Sequence, residues 1–539
     1  MTSNRRRAGL ELGAVAALLG ILGAAVYGSQ ALHGGFISDA WSNRALYVFA
    51  DGSGFSDTVS YLLSKPNIAV RPLQAVYLAV LNGAFGSHTP LWFSWDVITN
   101  VLMSLALFAL LRKLSLAVFD AAVIAALVLI FPATSSLRFW LATIWGPLSL
   151  TLVCLGFLIA FSAFEAKGKP RALTLHAISL TMFVASILLY EVALLIMLSS
   201  VLVYRLRVPW RAAASRWIVD CGVLLAVTLT VTLSSSSGHE GTSAGVWQHA
   251  TTILSQTRLL LATVILPFDS AGWGVLLLLA LVPAVSLLAY LWLPDAHPVR
   301  PELRRWLLTM AAGVVVVALG YAIYVPGTDY YIPMGPGIAD RVNAVPSIGW
   351  VLMLYAGIML FSTLALRDLP RARILSSGLA AVVCALIAVA WLKSIGDYSG
   401  HYIRAHDEDE RVLSTVRSAL PAPPSHSTIW TFGQPVEIVP GVPVFGNTWD
   451  MTSSVQLTLD DPTLSSYVAV PGIAFFCRQN MVLPGGAYAI EGKPNREFAS
   501  PYGRTFFLDT NTGRVAPIRS RAQCHHGART FAPSPSYAS

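Results

Sequence analysis

The chain has 539 residues, of which 55% are hydrophobic and only 12% charged, and its mean hydropathy is +0.62. Soluble domains carry roughly twice that charged fraction, so the composition excludes a soluble globule and indicates a polytopic membrane protein. The formal net charge of +8 does not imply a nucleic-acid partner, because Lys and Arg fall in short clusters between apolar runs, where membrane topology explains them.

Arg5-Arg6-Arg7 precede a long apolar run. This is the plan of a signal peptide, but the run is long enough to span a bilayer and is assigned the first span. Each span needs about 20 mostly apolar residues, and its direction follows from which loops collect Lys and Arg. Basic clusters occur at Arg5 to Arg7, Arg112-Lys113, Lys167 to Arg171, Arg205 to Arg216, Arg300 to Arg305 and Arg367 to Arg373, which is every second connection. The predicted spans are residues 9–31, 91–111, 115–132, 142–164, 172–189, 191–206, 216–235, 272–293, 306–325, 346–366 and 374–392. The pattern predicts an all-α polytopic membrane bundle of about 11 transmembrane helices in the cell membrane, with the N-terminus cytoplasmic and everything after Lys393 extracytoplasmic. Around Tyr190-Glu191 two short helices and one kinked element remain alternatives.

Three further apolar segments fall on the outer side. Pro72 to Phe85 is predicted to be an interfacial helix, begun by Pro and stopped by Gly86. Residues 251–268, with Arg258, form a second such helix, and residues 326–346 form a structured loop rich in Gly, Pro and Tyr. The domain plan is a transmembrane domain at 1–392, a helical connector at 393–420 and a small extracytoplasmic α+β or β-rich domain at 421–539. In that last part STIWTF, VQLTLD, YVAVPGIAFF and RTFFLDT alternate like strands between turn residues, and the final FAPSPSYAS is expected to be disordered. Cys477 and Cys524 both lie there, a pair that suits a disulfide in an oxidising compartment. Cys154, Cys221 and Cys384 sit in apolar runs as inert small hydrophobes.

Candidate chemistry gathers on the outer side. Residues 36–73 form a polar loop holding Asp39 beside Trp41, then Asp51 and Asp57, and ending on Arg71-Pro72-Leu73. One Asp in a surface loop is as readily a solvated residue, so convergence with other groups carries the chemical reading. Glu191, next to Tyr190, lies between two apolar runs at the same level, where a carboxylate is expensive unless it is paired or faces a cavity. Arg138 and Arg341 are cations on the side where few are expected, and arginine suits bidentate phosphate binding. Arg71 can act in the same way. With Trp41, Tyr190 and Tyr330 they describe an outward pocket for an anionic headgroup.

Trp92, Trp95, Trp140, Trp145 and Trp350 are expected in the interfacial aromatic belt rather than as sugar platforms. The run Asp407 to Glu410 beside His406 is expected to be solvated near a helix start rather than to bind metal. The sequence contains no phosphate-cradling Gly-rich loop, no metal-spaced Cys and His set and no nucleophile elbow. No metal ligands and no cofactor are assigned; a divalent metal stays open.

The acidic first outer loop at Asp39, the Arg71-Pro72-Leu73 element leading a helix that ends in Phe85-Gly86, Phe131-Pro132 with Trp140, and Tyr190-Glu191-Val192 together resemble a known family. These are the integral-membrane glycosyltransferases of the C type (GT-C fold), the protein-mannosyltransferase-like superfamily that uses polyprenyl-phosphate sugars. The resemblance covers roughly the first half of the chain. It departs from the family by lacking two neighbouring acidic residues in the first loop, which leaves the choice of base and any metal dependence open. The resemblance implies a transferase of the cell envelope that moves a sugar from a polyprenyl-phosphate donor to a lipid, glycan or protein acceptor at the outer face. In it Asp39 or Asp51 is the general base, and Arg71, Arg138 and Arg341 hold the donor phosphate. A single carboxylate at the reacting centre implies inversion. Two rivals stand beside it: a lipid-linked glycan flippase, which would place ionisable groups at mid-membrane on broken helices, and a non-catalytic membrane scaffold of envelope assembly.

Overall fold

The computed structural model describes residues 2–50, 54–234, 245–261, 273–294, 297, 299–327, 331–369, 371–445, 448–469, 475–484, 489–490, 493–494, 499–531 and 535–537. Among these, eight helices are long and apolar enough to cross a membrane: Gly9–His33, Thr89–Lys113, Leu141–Glu165, Lys169–Leu189, Trp210–Leu233, Arg300–Ala322, Ile338–Ala365 and Ile374–Ala419. The chain is therefore a multi-pass membrane protein.

The other three expected spans are shorter or broken. Residues 115–132 yield Val118–Leu129, 12 residues and about 18 Å long, because Pro132 disfavours helical backbone at Phe131. The chain then runs through short turns, Pro132–Thr134, Ser136–Phe139 and Leu141–Thr143. Residues 191–206 yield three pieces, Glu191–Ala193, Leu194–Leu198 and Ser200–Arg205. Trp273–Trp292 carries Pro283 inside it, and its apolar part Leu277–Trp292 falls short of the eight. Irregular backbone at membrane depth is tolerated where protein buries it or where it lines a cavity, and every residue from Phe131 to Trp145 is buried.

The segment expected as the first outer loop is helical. Asp39–Val48, Phe55–Leu63 and Pro66–Ala69 lead into Pro72–Phe85, which starts on its proline and ends at Gly86 with φ +56. Asp39 stands at the first position of its helix, where exposed N–H groups favour an anion. The expected helix at 251–268 is described as Val246–Leu260, and residues 262–268 lie outside the described residues.

The last span and the connector are one helix. Ala372–Ala419 runs unbroken for 48 residues, about 70 Å, so roughly half of it stands beyond a 30 Å hydrocarbon layer. A small α+β unit packs on this overhang. Its four-stranded sheet runs in the order Val515–Ile518, Thr505–Asp509, Thr428–Phe432, Ser465–Val468, the last three mutually parallel. Parallel neighbours need a crossover, and between Thr428–Phe432 and Ser465–Val468 it contains the helix Thr448–Leu459. VQLTLD, expected as a strand, lies largely in that helix. Part of the tail is also ordered, since the Val436 and Glu437 N–H groups donate to the carbonyls of Pro535 and Ser536.

Cys477 and Cys524 form a disulfide across 47 residues, and Arg521 donates to the Cys477 carbonyl beside it. Closing a loop of that size contributes about 4 kcal/mol. Reductant is therefore expected to lower the unfolding temperature of the C-terminal unit, followed by tryptophan fluorescence. An unshifted transition with both thiols titratable would contradict this.

Candidate active site

A cavity of about 830 Å³ opens where the helices Asp39–Val48, Pro66–Ala69 and Pro72–Phe85, the broken segments and the C-terminal unit meet. Its wall includes Asp39, Arg71, Tyr190, Glu191 and Arg341, five of the groups singled out from the sequence. Asp51 and Tyr330 lie outside the described residues, although Tyr331 lines the cavity.

Arg71 and Glu191 do not act separately. The Arg71 Nε and Nη2 donate to the two Glu191 carboxylate oxygens at 2.7 and 2.5 Å, and the guanidinium lies 5.0 Å from the Tyr190 ring centre. Burial opposes the Arg71 charge, but the Glu191 carboxylate and its hydrogen bonds outweigh burial and raise the arginine pKa further. The two side chains are 25% and 38% exposed, so the pair fixes geometry more than it adds stability. It cancels the charge that Arg71 would otherwise offer a phosphate.

Arg341 is positioned from behind. The preceding Asp340 is fully buried and accepts hydrogen bonds from the Ser135 N–H and hydroxyl at 2.5 and 2.8 Å and from the Ser136 N–H at 2.9 Å. Asn343 donates to the carbonyls of Ala133 and Met334, both at 2.9 Å, and accepts from the Tyr321 hydroxyl. Gly337 seats this segment on the C-terminal unit: its φ is +146, and a Cβ there would meet the Gly441 carbonyl oxygen at 2.8 Å. The Ile338 N–H donates to that same oxygen. The Arg341 guanidinium ends 5.2 Å from the Trp140 ring and 5.4 Å from the Tyr331 ring, and Tyr331 stacks on Tyr324. The Tyr324 hydroxyl is buried in the cavity wall with no hydrogen-bond partner among the described residues, which leaves an unsatisfied donor for a polar ligand.

Asp39 faces a residue of the C-terminal unit. The Trp449 indole N–H donates to the Asp39 Oδ1 at 2.6 Å, and the Ser42 hydroxyl donates to the Trp449 carbonyl at 3.1 Å. Trp449 is still 52% exposed, so its ring forms part of an accessible wall with Ser453 beside it.

Two expected site residues lie elsewhere. Arg138 is only 2% exposed and does not line the cavity; its Nη2 donates to the Phe131 carbonyl and, at 2.8 Å, to the Thr134 hydroxyl. It satisfies backbone freed by the break at Pro132. Trp41 is buried and donates its indole N–H to Asp409 at 3.0 Å. Asp409 is therefore not solvated, as its acidic run suggested. The tryptophan belt also differs from expectation, since Trp92, Trp140, Trp145 and Trp350 are buried within protein and Trp145 lines the cavity.

No three His, Cys, Asp or Glu side chains gather in metal-binding reach among the described residues. Of the two carboxylates described in the cavity wall, Glu191 is engaged by Arg71 at both oxygens, a donor set that does not suit a divalent cation.

No family model and no curated protein matches the chain. Among solved structures, the archaeal oligosaccharyltransferase AglB from Archaeoglobus fulgidus, in complex with an inhibitory peptide and a dolichol-phosphate, overlaps it with a TM-score of 0.43 and 12% sequence identity, over 84% of this chain and 64% of that one. The chain thus spans less than two thirds of that relative's length. An overlap this loose assigns neither fold nor chemistry.

Proposed function

We propose that this cavity transfers a sugar from a polyprenyl-phosphate donor to a hydroxyl of a lipid, glycan or protein acceptor at the outer membrane face. The observation that carries the proposal is the composition of one wall: Asp39 as the carboxylate not committed to an arginine, Arg341 as a cation on an aromatic bed, and the unsatisfied Tyr324 hydroxyl. Asp39 takes the proton of the acceptor hydroxyl as its oxygen bonds to the anomeric carbon. The bond from that carbon to the phosphate oxygen breaks, and polyprenyl phosphate leaves with the electron pair. Arg341 stabilises the charge that develops on the phosphate. The Arg71–Glu191 pair and the Tyr190 ring form a rigid wall beside it. One acting carboxylate gives a single displacement and inversion at the anomeric carbon.

The test is to incorporate the full chain into proteoliposomes with isotope-labelled polyprenyl-phosphate hexoses and pentoses and to measure released polyprenyl phosphate by mass spectrometry. Release above the Asp39→Asn background is expected. Absence of both donor binding and release with every donor would favour the scaffold reading.

Trp449→Phe tests the reach of the C-terminal unit into the cavity. It keeps an aromatic ring, smaller than the indole, and removes the N–H that holds Asp39. Hydrogen bonds to charged groups contribute about 1.5–3 kcal/mol, so the turnover number is expected to fall about 10- to 100-fold with the KM for donor unchanged. A raised KM with unchanged turnover would make Trp449 a binding surface instead.

A further inference from the structure

A second cavity, of about 660 Å³, is lined by Arg300, Arg304 and Arg305. These arginines open the Arg300–Ala322 helix, whose 23 residues make it roughly 35 Å long. Tyr324, just past the far end of the same helix, lines the first cavity. The two cavities therefore lie at opposite membrane faces, and the cluster of arginines assigns the second to the cytoplasmic one.

Its chemistry is divided. Leu111, Leu116, Leu308 and Leu352 give it an apolar side. On the polar side Arg305 is neutralised, donating to Asp120 at 2.6 Å with Glu302 at 3.6 Å. Arg300 lies 4.8 Å from the Tyr290 ring centre, and Arg304 is exposed without an ion pair among the described residues. At the rim Arg207 spans the Lys113 carbonyl and, at 2.7 Å, the hydroxyl of Ser115, which lines the cavity. Arg304 thus keeps its guanidinium available on the polar side.

We propose that this cavity binds the phosphate headgroup of an anionic phospholipid of the cytoplasmic leaflet, with an acyl chain along Leu308 and Leu352. A phosphodiester matches the guanidinium fork. The leucine side has no use for a water-soluble anion, whereas a lipid satisfies both halves at once. Basic pockets between transmembrane helices at this depth recognise such headgroups.

The full chain, purified in detergent, is titrated with phosphatidylglycerol or phosphatidylcholine, and retained lipid is counted by native mass spectrometry. Phosphatidylglycerol is expected to be retained about tenfold better, and the Arg300→Gln, Arg304→Gln double variant is expected to lose that preference. Equal retention of the two lipids by the wild type, or an undiminished preference in the double variant, overturns the proposal. Displacement of phosphatidylglycerol by millimolar inorganic phosphate assigns the site to a free anion and also overturns it. If the double variant does not fold, the wild-type comparison and the phosphate competition decide.

Discussion

Asp39→Asn is expected to slow sugar transfer by about 10²- to 10⁴-fold, the usual cost of losing a general base, while donor affinity stays within about twofold. The amide keeps the shape of the carboxylate and remains a hydrogen-bond acceptor for the Trp449 indole N–H, which now reaches Asp39 at 2.6 Å. What it loses is the capacity to take the acceptor's proton. Donor binding is assigned to other groups of the cavity, Arg341 and the tyrosines, so a titration of labelled donor against the variant should superimpose on the wild-type curve. Asp51, on the same outer segment, is the alternative base. Full transfer by the Asp39→Asn, Asp51→Asn double variant at wild-type expression would remove the catalytic role from this segment.

The sequence made some features legible because a single local cause decides them. Pro72 fixes the start of its helix and Gly86 supplies the positive φ that ends it, so both boundaries could be read without any tertiary knowledge. The runs of about 20 apolar residues without internal breaks became helices long enough to cross, because in lipid the backbone has few other ways to satisfy itself. Where a proline or a glutamate interrupted the run, as at Pro132 and Glu191, counting apolar residues failed, since protein contacts rather than lipid decide those segments. VQLTLD was misread because its alternation was taken alone; Met451 and Val455, four apart and both buried, belong to a helical face that begins upstream.

The site was legible as a set of residues and not as a set of pairings. Arg71 and Glu191 each read as a group waiting for a ligand, and only folding across 120 positions shows that they hold each other. Asp340 and Asn343 carried no signal beyond being polar residues at a helix start, yet they fix the segment that presents Arg341. Trp449, more than 400 residues from Asp39, could not be placed at the cavity by any local pattern.

Arg138 and Arg341 looked equivalent in the sequence, two cations on the face where few occur, and their substitutions are expected to fail differently. Arg341→Ala removes a charge from an accessible cavity. With charge-assisted hydrogen bonds contributing about 1.5–3 kcal/mol, kcat/KM for donor should fall about 10- to 100-fold. Both binding and turnover should suffer, because the phosphate is charged before and during transfer. Folding should be unaffected, since the guanidinium rests on the faces of Trp140 and Tyr331 at the surface of the cavity. Arg138→Ala removes a buried guanidinium and leaves the Phe131 carbonyl and the Thr134 hydroxyl without their donor. Leaving buried polar groups unsatisfied costs about 1–3 kcal/mol each, a large part of the stability of a membrane domain. The expected result is a lower unfolding temperature and a smaller yield of dispersed protein in size-exclusion chromatography, with the folded fraction binding donor at wild-type affinity. An Arg138→Ala protein that unfolds at the wild-type temperature but has lost donor affinity would return Arg138 to the phosphate.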